Sequence, residues 1–436
     1  MGTKVKSELA LEGGPKAVRT DPGDICAWPI IDREHEEAVL EVLRRGAMSG
    51  TDVTEQFERE FADWHGLEFA LAQSSGTSSL HAAMWACGVG VGTEIIAPSF
   101  TFWASILPAL NLGASVVFAE VEPHSLCIDP ADIEHRITEH TRAILPVHYC
   151  GHPADMDPIM DIARRHGPKV IEDVSHAQGG LYKGRMVGTI GDVGAMSLMS
   201  GKSFAIGEGG ILITDEREIF ERAAAFGHYE RTGRPSNFSE NKGQITDPEL
   251  QKFAGVPLGG FKYRMHQLSS AVARVQLRRY PGQVAEIQKA MNHFWDLLEG
   301  VPGVRAHRPP KDSRSTMGGW YAPHGLYEAD ELGGLPIEKF CEAVTAEGAG
   351  TSPGANFPLH LHPVFHEADI YGHGKPTIIA NADRDLRQPE GSLPVTESMP
   401  RRCFWIPWFK HCRPDVIAEH AAAFRKVAEH ADELAE

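Results

Sequence analysis

The residue types around Lys202 are suited to amine chemistry. Lys202 lies between two apolar segments, in a stretch of small residues and glycines that extends from Ser197 to Gly210. An amine in a glycine-lined and partly desolvated site loses proton affinity, because burial disfavours its charged form, and a neutral amine is a nucleophile toward carbonyl carbon. Most lysines beside glycines are ordinary loop residues, so this segment alone leaves both interpretations open.

Three other segments carry residues that could assist such a lysine, each at the end of a predicted strand. Gly76 and Thr77 open a predicted helix, where free backbone N–H groups can bind a phosphate. Phe102 could stack on a planar ring. Asp173, followed closely by His176, ends an apolar strand at the edge where α/β sheets bind ligands. Each segment also has a commoner interpretation as a helix cap, a core aromatic or a structural acid.

Together these residues match what pyridoxal phosphate (PLP) requires. That cofactor needs a lysine for the Schiff base, a carboxylate that keeps the pyridine nitrogen protonated, a phosphate cradle and a ring-stacking side chain. The chain supplies all four. They occur in the order of the segment around Gly76, then Phe102, Asp173 and Lys202. We therefore predict PLP as the cofactor.

Seven apolar runs of strand length alternate with helix-like segments. The runs are rich in Val, Ile, Leu and Phe without polar alternation, which is typical of strands in a sheet buried on both faces. Strand–helix alternation predicts an α/β fold with a mostly parallel seven-stranded sheet. The predicted strands are Phe69–Ala72, Glu94–Ala97, Ser115–Ala119, Ala143–Val147, Val170–Asp173, Val193–Leu198 and Gly210–Thr214.

A chain of 436 residues is too long for one small core, so two domains are expected. The polar segment 232–251 predicts a long loop, and the patterns of Met265–Tyr280 and Ala285–Leu298 predict two amphipathic helices. We place the boundary after the first of these helices. Residues 1–282 would form a large cofactor-binding domain with an N-terminal arm, and residues 283–436 a smaller α+β domain.

Composition excludes several classes of partner. The net charge of −17 argues against nucleic acid, which requires basic surface. No apolar stretch reaches the length of a signal peptide or a membrane span, so no membrane association is predicted. The seven cysteines are scattered and form no C-x-x-C pair, as expected for free thiols in a reducing cytoplasm. We expect a cytoplasmic protein.

Other catalytic classes lack their motifs. The histidine-rich segment 360–366 suggests a metal site, but its spacing does not match a helical H-E-x-x-H and Pro363 interrupts it. We therefore predict no metal site and interpret the segment as a substrate-entrance loop of the second domain. The chain has no G-x-S-x-G hydrolase elbow and no G-x-G-x-x-G dinucleotide fingerprint after its first predicted strand.

The ordered set of segments resembles the DegT/DnrJ/StrS family of PLP-dependent sugar and cyclitol aminotransferases. That resemblance implies the type I fold of aspartate aminotransferase, with the α/β large domain and smaller α+β domain predicted above. It extends from about Leu9 to the C-terminus. The motifs that carry it are Leu9–Pro15, Phe57–Ala62, Gly184–Gly188, Gly207–Gly210 and Gly260–Met265.

The resemblance implies a role for each site residue. Lys202 would form the Schiff base and then move a proton between substrate carbon and cofactor. Asp173 would pair with the pyridinium nitrogen, and His176 would lie near the phenolic oxygen of the cofactor. Phe102 would stack on the ring, and His228 would lie near the mouth of the site. The phosphate would be held by Gly76, Thr77 and Ser197.

Lys262 departs from the family pattern. Family members commonly have an asparagine there, which reaches across a dimer interface to the cofactor phosphate of the neighbouring subunit. Lysine also binds phosphate, although as a point charge. The resemblance therefore implies a homodimer with shared active sites, in which Lys262 could keep this role. Lys202 argues against the dehydratase branch of the family, in which histidine replaces the lysine.

We predict an aminotransferase that moves an amino group from glutamine or glutamate onto a keto-sugar or ketocyclitol, by a ping-pong mechanism through pyridoxamine phosphate. A nucleotide-linked keto-sugar and a ketocyclitol such as scyllo-inosose are both open as acceptors, and the Leu9–Pro15 leader favours the second. Two alternatives remain. One is a regulatory PLP-binding protein without turnover. The other is a PLP enzyme of another reaction type, such as a dehydratase like 3-amino-5-hydroxybenzoate synthase.

Overall fold

The computed structural model describes residues 8–233 and 244–434. Its strands are β1 (Phe69–Gln73), β2 (Glu94–Pro98), β3 (Ser115–Ala119), β4 (Thr141–Ile144), β5 (Lys169–Asp173), β6 (Leu181–Tyr182), β7 (Arg185–Met186), β8 (Val193–Ser197), β9 (Gly210–Thr214), β10 (Val304–Ala306), β11 (His324–Tyr327), β12 (Ser352–Pro353) and β13 (Cys403–Trp405).

The α-helices alternate with the strands in the first half of the chain and dominate the second half. They are α1 (Arg33–Arg44), α2 (Asp52–His65), α3 (Gly76–Ala86), α4 (Leu107–Asn111), α5 (Pro130–Arg136), α6 (Met156–His166), α7 (Arg217–Gly227), α8 (Pro248–Gln251), α9 (Gln267–Leu297), α10 (Ile337–Ala346), α11 (Pro394–Ser398), α12 (Pro414–Glu429) and α13 (Ala431–Leu434). None of the helices in the described ranges is both long and apolar enough to cross a membrane.

The main sheet has seven strands in the order β1-β9-β8-β5-β4-β2-β3. Neighbours from β8 to β3 are parallel, whereas β9 is antiparallel to both β1 and β8. The carboxyl ends of β1, β2, β5 and β8 therefore meet at one edge. A second, antiparallel sheet has the order β10-β11-β13-β12. The predicted α/β class with a mostly parallel seven-stranded sheet is confirmed.

Side chains on the sheet alternate between two apolar cores, which explains the unbroken apolar runs in the sequence. Leu71 and Leu212 pack with α3 and α7 on one face. Ala70 and Ile211 pack with α2, α6 and α9 on the other. β4 ends at Ile144, earlier than predicted, because Pro146 has no N–H to continue the ladder.

The prediction of two helices after residue 265 was wrong, because α9 continues through Pro281. An interior proline costs roughly 3 kcal/mol, but burial on both sides of it offsets this cost. The Tyr280 hydroxyl donates to the Gln178 carbonyl at 2.9 Å, and the ring is fully buried. Beyond the proline, Ile287 and Trp295 enter a third apolar core.

This third core contains the C-terminal sheet, α10 and α12, together with Leu9 and Ile25 from the N-terminal arm. The domain boundary predicted at 282/283 falls inside α9 and stays a prediction. The long loop predicted over 232–251 includes residues 234–243, which lie outside the described residues. Its last residues form α8.

Candidate active site

Lys202 lies in the loop between β8 and β9, and only 7% of its surface is exposed. Burial lowers the pKa of its amine to about 8, although the nearby Asp173 carboxylate opposes this shift. The amine nitrogen lies 3.9 Å from the centroid of the Tyr321 ring. The indole N–H of Trp28 donates to the Lys202 carbonyl at 2.9 Å and so fixes the loop. The structure thus presents a buried amine with weakened proton affinity.

Asp173 is the last residue of β5 and is also buried. Its Oδ2 accepts a hydrogen bond from the Ser105 hydroxyl at 2.7 Å, and its Oδ1 accepts one from the Ser175 N–H at 3.0 Å. Both oxygens are therefore oriented by neutral donors. The carboxylate lines the same cavity as Lys202.

His176 is buried beside Tyr321, with ring centroids 4.6 Å apart. The Cys150 N–H donates to its Nδ1 at 3.2 Å, which leaves the proton of the neutral ring on Nε2. Burial, then the nearby Lys202, hold the pKa of His176 well below its usual value. The imidazole is therefore a neutral group that offers an N–H at Nε2.

The start of α3 packs tightly against the end of β8. Ser75 caps the helix by accepting the Ser78 N–H at 3.1 Å, and Gly76 is the first helical residue. A Cβ on Gly76 would lie 2.5 Å from the Cβ of Ser197, so only glycine fits there. Gly76, Thr77 and Ser197 all line the cavity. The structure thus brings together the residues of the predicted phosphate cradle.

Three other predicted residues have different surroundings. Phe102 is 48% exposed and lines the cavity. Lys262 is exposed, with its amine 5.9 Å from the Tyr229 ring centroid, and does not line the cavity of its own chain. His228 is fully buried away from the cavity, where its Nε2 lies 3.2 Å from Gln73 Oε1.

The C-terminal half adds cavity residues that sequence reasoning missed, namely Tyr321, His324, Asn356 and Trp405. Tyr321 is held between Trp320 and Ala322, both of which have left-handed backbone conformations (φ 54° and 50°). Strained backbone of this kind clusters at functional sites. No local sequence pattern marks these residues, because they follow Lys202 by more than a hundred positions and meet it only in the fold.

The histidine-rich segment uses its rings for structural hydrogen bonds. His360 Nδ1 lies 2.7 Å from Ser99 Oγ, its Nε2 lies 3.0 Å from Glu397, and His366 Nε2 lies 2.6 Å from the His360 carbonyl. Within residues 8–233 and 244–434, no group of three His, Cys, Asp or Glu side chains is arranged to hold a metal ion. Asn356, just before this segment, lines the cavity.

The cavity has a volume of about 560 Å³, and its residues fit pyridoxal phosphate. A buried lysine with a lowered pKa suits a carbonyl partner, and a buried carboxylate suits a protonated ring nitrogen. Gly76 and Thr77 begin α3 and line the cavity, so the N-terminus of this helix is open to an anion there. When bound, this cofactor supplies an electron sink for the carbon that carries the amino group.

The chain is similar in sequence to proteins of one family. Residues 29–425 match the DegT/DnrJ/EryC1/StrS aminotransferase family. The chain is 33% identical to the L-glutamine:scyllo-inosose aminotransferase of Streptomyces griseus, over 98% of this chain and 99% of that protein. It is 29% identical to the spore coat polysaccharide biosynthesis protein SpsC of Bacillus subtilis, over 93% and 97% of the two chains.

Solved structures share the fold, and they confirm the predicted type I fold. An aminotransferase from Psychrobacter cryohalolentis superposes with a TM-score of 0.77 at 26% identity, over 94% of this chain and 99% of that chain. The DesV protein of S. venezuelae gives 0.72 at 29% identity, over 91% and 94%. The 3-amino-5-hydroxybenzoic acid synthase gives 0.75 at 26%, over 93% and 98%. The chain therefore belongs to the DegT/DnrJ/EryC1/StrS family of PLP-dependent sugar and cyclitol aminotransferases.

Proposed function

We propose that this enzyme transfers the amino group of L-glutamine, or of L-glutamate, to the ketone of a ketocyclitol such as scyllo-inosose. The observation that carries the chemistry is that Lys202 and Asp173 line one cavity, both buried. The similarity to a glutamine:scyllo-inosose aminotransferase along nearly the whole chain supports the choice of donor and acceptor.

The side chains divide the work as follows. Lys202 Nζ, neutral in part of the molecules at neutral pH, takes a proton from the donor carbon that bears the amino group and later delivers one to the acceptor carbon. The Asp173 carboxylate would keep the ring nitrogen of the cofactor protonated. His176, as a neutral ring, would donate a hydrogen bond from Nε2 to the phenolic oxygen of the cofactor. Gly76, Thr77 and Ser197 would bind the cofactor phosphate, and Phe102 would cover the cofactor ring.

We also infer a homodimer in which Lys262 reaches the partner's phosphate. Lys262 is exposed, and the exposed apolar side chains of Phe253, Val256 and Leu258 lie close before it in the chain. Such a cluster suits a buried interface better than water. Sedimentation velocity should give twice the chain mass, and a monomer at micromolar concentration would contradict this inference.

A second candidate is the reaction class of 3-amino-5-hydroxybenzoic acid synthase, because that structure is also similar to this one. A regulatory protein that binds the cofactor without turnover is the third. The two half-reactions separate all three, since only an aminotransferase moves the amino group in one step and returns it to a ketone in the next.

The test follows the visible absorption of the bound cofactor. L-Glutamine or L-glutamate should bleach the band, and scyllo-inosose added to the amine form should restore it. Lys202→Ala should abolish both responses, whereas Lys289→Ala, an exposed lysine on α9, should behave as wild type. No response to any amino donor would favour the regulatory role. Restoration by a nucleotide-linked keto-sugar alone would move the acceptor to that class, and formation of an aromatic product would favour the synthase.

A further inference from the structure

One wall of the cavity comes from the C-terminal sheet and has no part in the amine chemistry above. It consists of Asn356 and Trp405, and we call it the C-terminal wall. The register of β12 and β13 places Ser352 opposite Trp405. The Gly354 N–H then donates to the Cys403 carbonyl at 2.8 Å, which keeps the following residues beside β13. Asn356 and Trp405 thus reach the cavity from neighbouring segments.

The amide of Asn356 is held in one orientation. The Tyr149 hydroxyl donates to Asn356 Oδ1 at 2.7 Å and accepts the Asn356 N–H at 3.3 Å. Burial raises the pKa of Tyr149 well above its usual value, so the phenol remains a donor. Oδ1 is therefore occupied, and within the described ranges Nδ2 makes no hydrogen bond. The two N–H groups of Nδ2 remain available to a ligand in the cavity.

The ring of Trp405 is likewise held in place. It packs against His324, with ring centroids 4.2 Å apart, and 39% of the residue remains exposed. His324 is itself fixed, because its Nδ1 donates to the Ala322 carbonyl at 2.7 Å. A rigid aromatic face that lines a binding cavity suits the C–H face of a saturated ring, since the face of an indole is electron-rich.

We propose that the C-terminal wall binds the ring of the amino acceptor, with Trp405 packed on its C–H face and Asn356 Nδ2 donating to a ring hydroxyl. This inference rests on the proposed function and names the part of the acceptor that the C-terminal wall contacts. Lys202 is the one lysine or arginine among the described residues that line the cavity. A nucleoside diphosphate requires cationic partners, so the wall fits an uncharged polyol better.

The first test measures binding without turnover. The holoenzyme is titrated with scyllo-inositol, a cyclitol that has no ketone, and followed by calorimetry or saturation-transfer NMR. Wild type should bind scyllo-inositol, and Asn356→Ala and Trp405→Leu should each raise Kd about tenfold. A change of this size corresponds to the binding free energy of one hydrogen bond or one aromatic contact. Trp405→Phe should retain most of the affinity. Asn111→Ala, at an exposed asparagine that ends α4, should match wild type. Absence of binding to wild type, or equal Kd values in Asn356→Ala and wild type, would overturn the proposal.

The second test asks whether Tyr149 acts through Asn356. Tyr149→Phe removes the hydroxyl that orients the amide and should raise Kd about threefold in the wild-type background. In the Asn356→Ala background the same change should have no effect on Kd, because the amide is already gone. Equal effects in both backgrounds would overturn the positioning role. Thermal denaturation of each variant separates a folding defect from a binding defect.

These outcomes are independent of the half-reactions. If the wall variants bind scyllo-inositol more weakly than wild type does, while wild type never transfers an amino group, the inference about the wall is supported and the proposed function fails. If wild type aminates scyllo-inosose and the wall variants do so with unchanged KM, the proposed function stands and the wall inference fails.

Discussion

Lys202 owes its low proton affinity to burial more than to its glycine-rich flank. Its amine lies over the Tyr321 ring, and Asp173 is the carboxylate that most opposes its loss of charge. At pH 7.5 a lysine with a pKa near 8 is neutral in about one quarter of the molecules, against about one in a thousand for an exposed lysine. The amine is thus poised to react near neutral pH.

This pKa predicts how fast the apoprotein captures pyridoxal phosphate. Because the pKa is lowered, the reactive neutral form is lost as the pH falls below about 8. The capture rate, followed by absorbance, should rise roughly tenfold per pH unit below that value and level off above it. 4-Deoxypyridoxine phosphate, which has no aldehyde, serves as the control and should bind with little change over this range. A rate that keeps rising to pH 10 would mean that Lys202 titrates as an ordinary lysine.

The sequence could predict individual residues only where a local pattern marks them. Gly76, Asp173 and Lys202 each lie at the end of a recognisable apolar strand or shortly after it, and the structure brings all three to one cavity. Tyr321 and Asn356 lie in irregular segments whose place beside Lys202 depends on how the second half of the chain folds back. No spacing rule covers such distant contacts.

At the scale of elements, close approach of α3 to the sheet builds the end of the cavity where we propose that the phosphate binds. A Cβ on Gly76 would lie 2.5 Å from Ser197 Cβ, and a Cβ on Gly210 would lie 2.2 Å from the Ser75 carbonyl oxygen. Real Cβ atoms do not approach other atoms so closely. The helix N-terminus can meet the ends of β8 and β9 only because both positions are glycine.

Gly76→Ala should therefore push α3 away from β8. We expect a loss of about 1–3 kcal/mol in the free energy of unfolding, as for other overpacked sites, and at least about tenfold weaker retention of PLP on dialysis, because the N–H groups move. Urea denaturation and the bound-cofactor absorbance measure the two effects. Gly282→Ala is the matched control, since nothing lies within 4 Å of its added Cβ. It should be neutral or slightly stabilising in its helix. If Gly76→Ala had the stability and the cofactor retention of wild type, the predicted phosphate cradle would have more room than the structure indicates.

Elements were predictable where burial is regular. The strands of the main sheet are apolar runs because their side chains face the two cores in alternation, as Leu71 and Ala70 do. The single long helix α9 was not predictable, because Pro281 and Gly282 are strong breaking signals in isolation. Only the tertiary contacts of Tyr280 and Ile287 on either side of them outweigh those signals.

Over the whole molecule, α9 contributes to the apolar cores of both the main sheet and the C-terminal sheet. The N-terminal arm makes a further connection. Its Leu9 and Ile25 lie in the C-terminal core, while its Trp28 donates to the Lys202 carbonyl. The arm therefore links the C-terminal core to the loop that carries the reactive amine, a connection that composition alone does not reveal.

Glu347 binds the N-terminal arm through hydrogen bonds. The carboxylate is fully buried and accepts hydrogen bonds from the Ala10 N–H at 2.7 Å, the Ala17 N–H at 2.9 Å and the Lys426 ammonium at 2.8 Å. Removal of the Glu347 carboxylate leaves the two N–H groups without these acceptors and the Lys426 ammonium with the Pro15 carbonyl as its remaining partner, at a typical cost of about 3 kcal/mol.

Glu347→Ala should lower the free energy of unfolding by roughly 3 kcal/mol and increase hydrogen exchange in the arm. Glu347→Gln retains an acceptor and should lose less. Glu342→Ala, an exposed acid on α10, is the control and should lie within about 0.5 kcal/mol of wild type. Because Trp28 is tethered through the same arm, Glu347→Ala should also slow capture of PLP by Lys202. A destabilised variant with unchanged capture would show that the loop holds its shape without the arm, and unchanged stability would remove the arm as a link between the two cores.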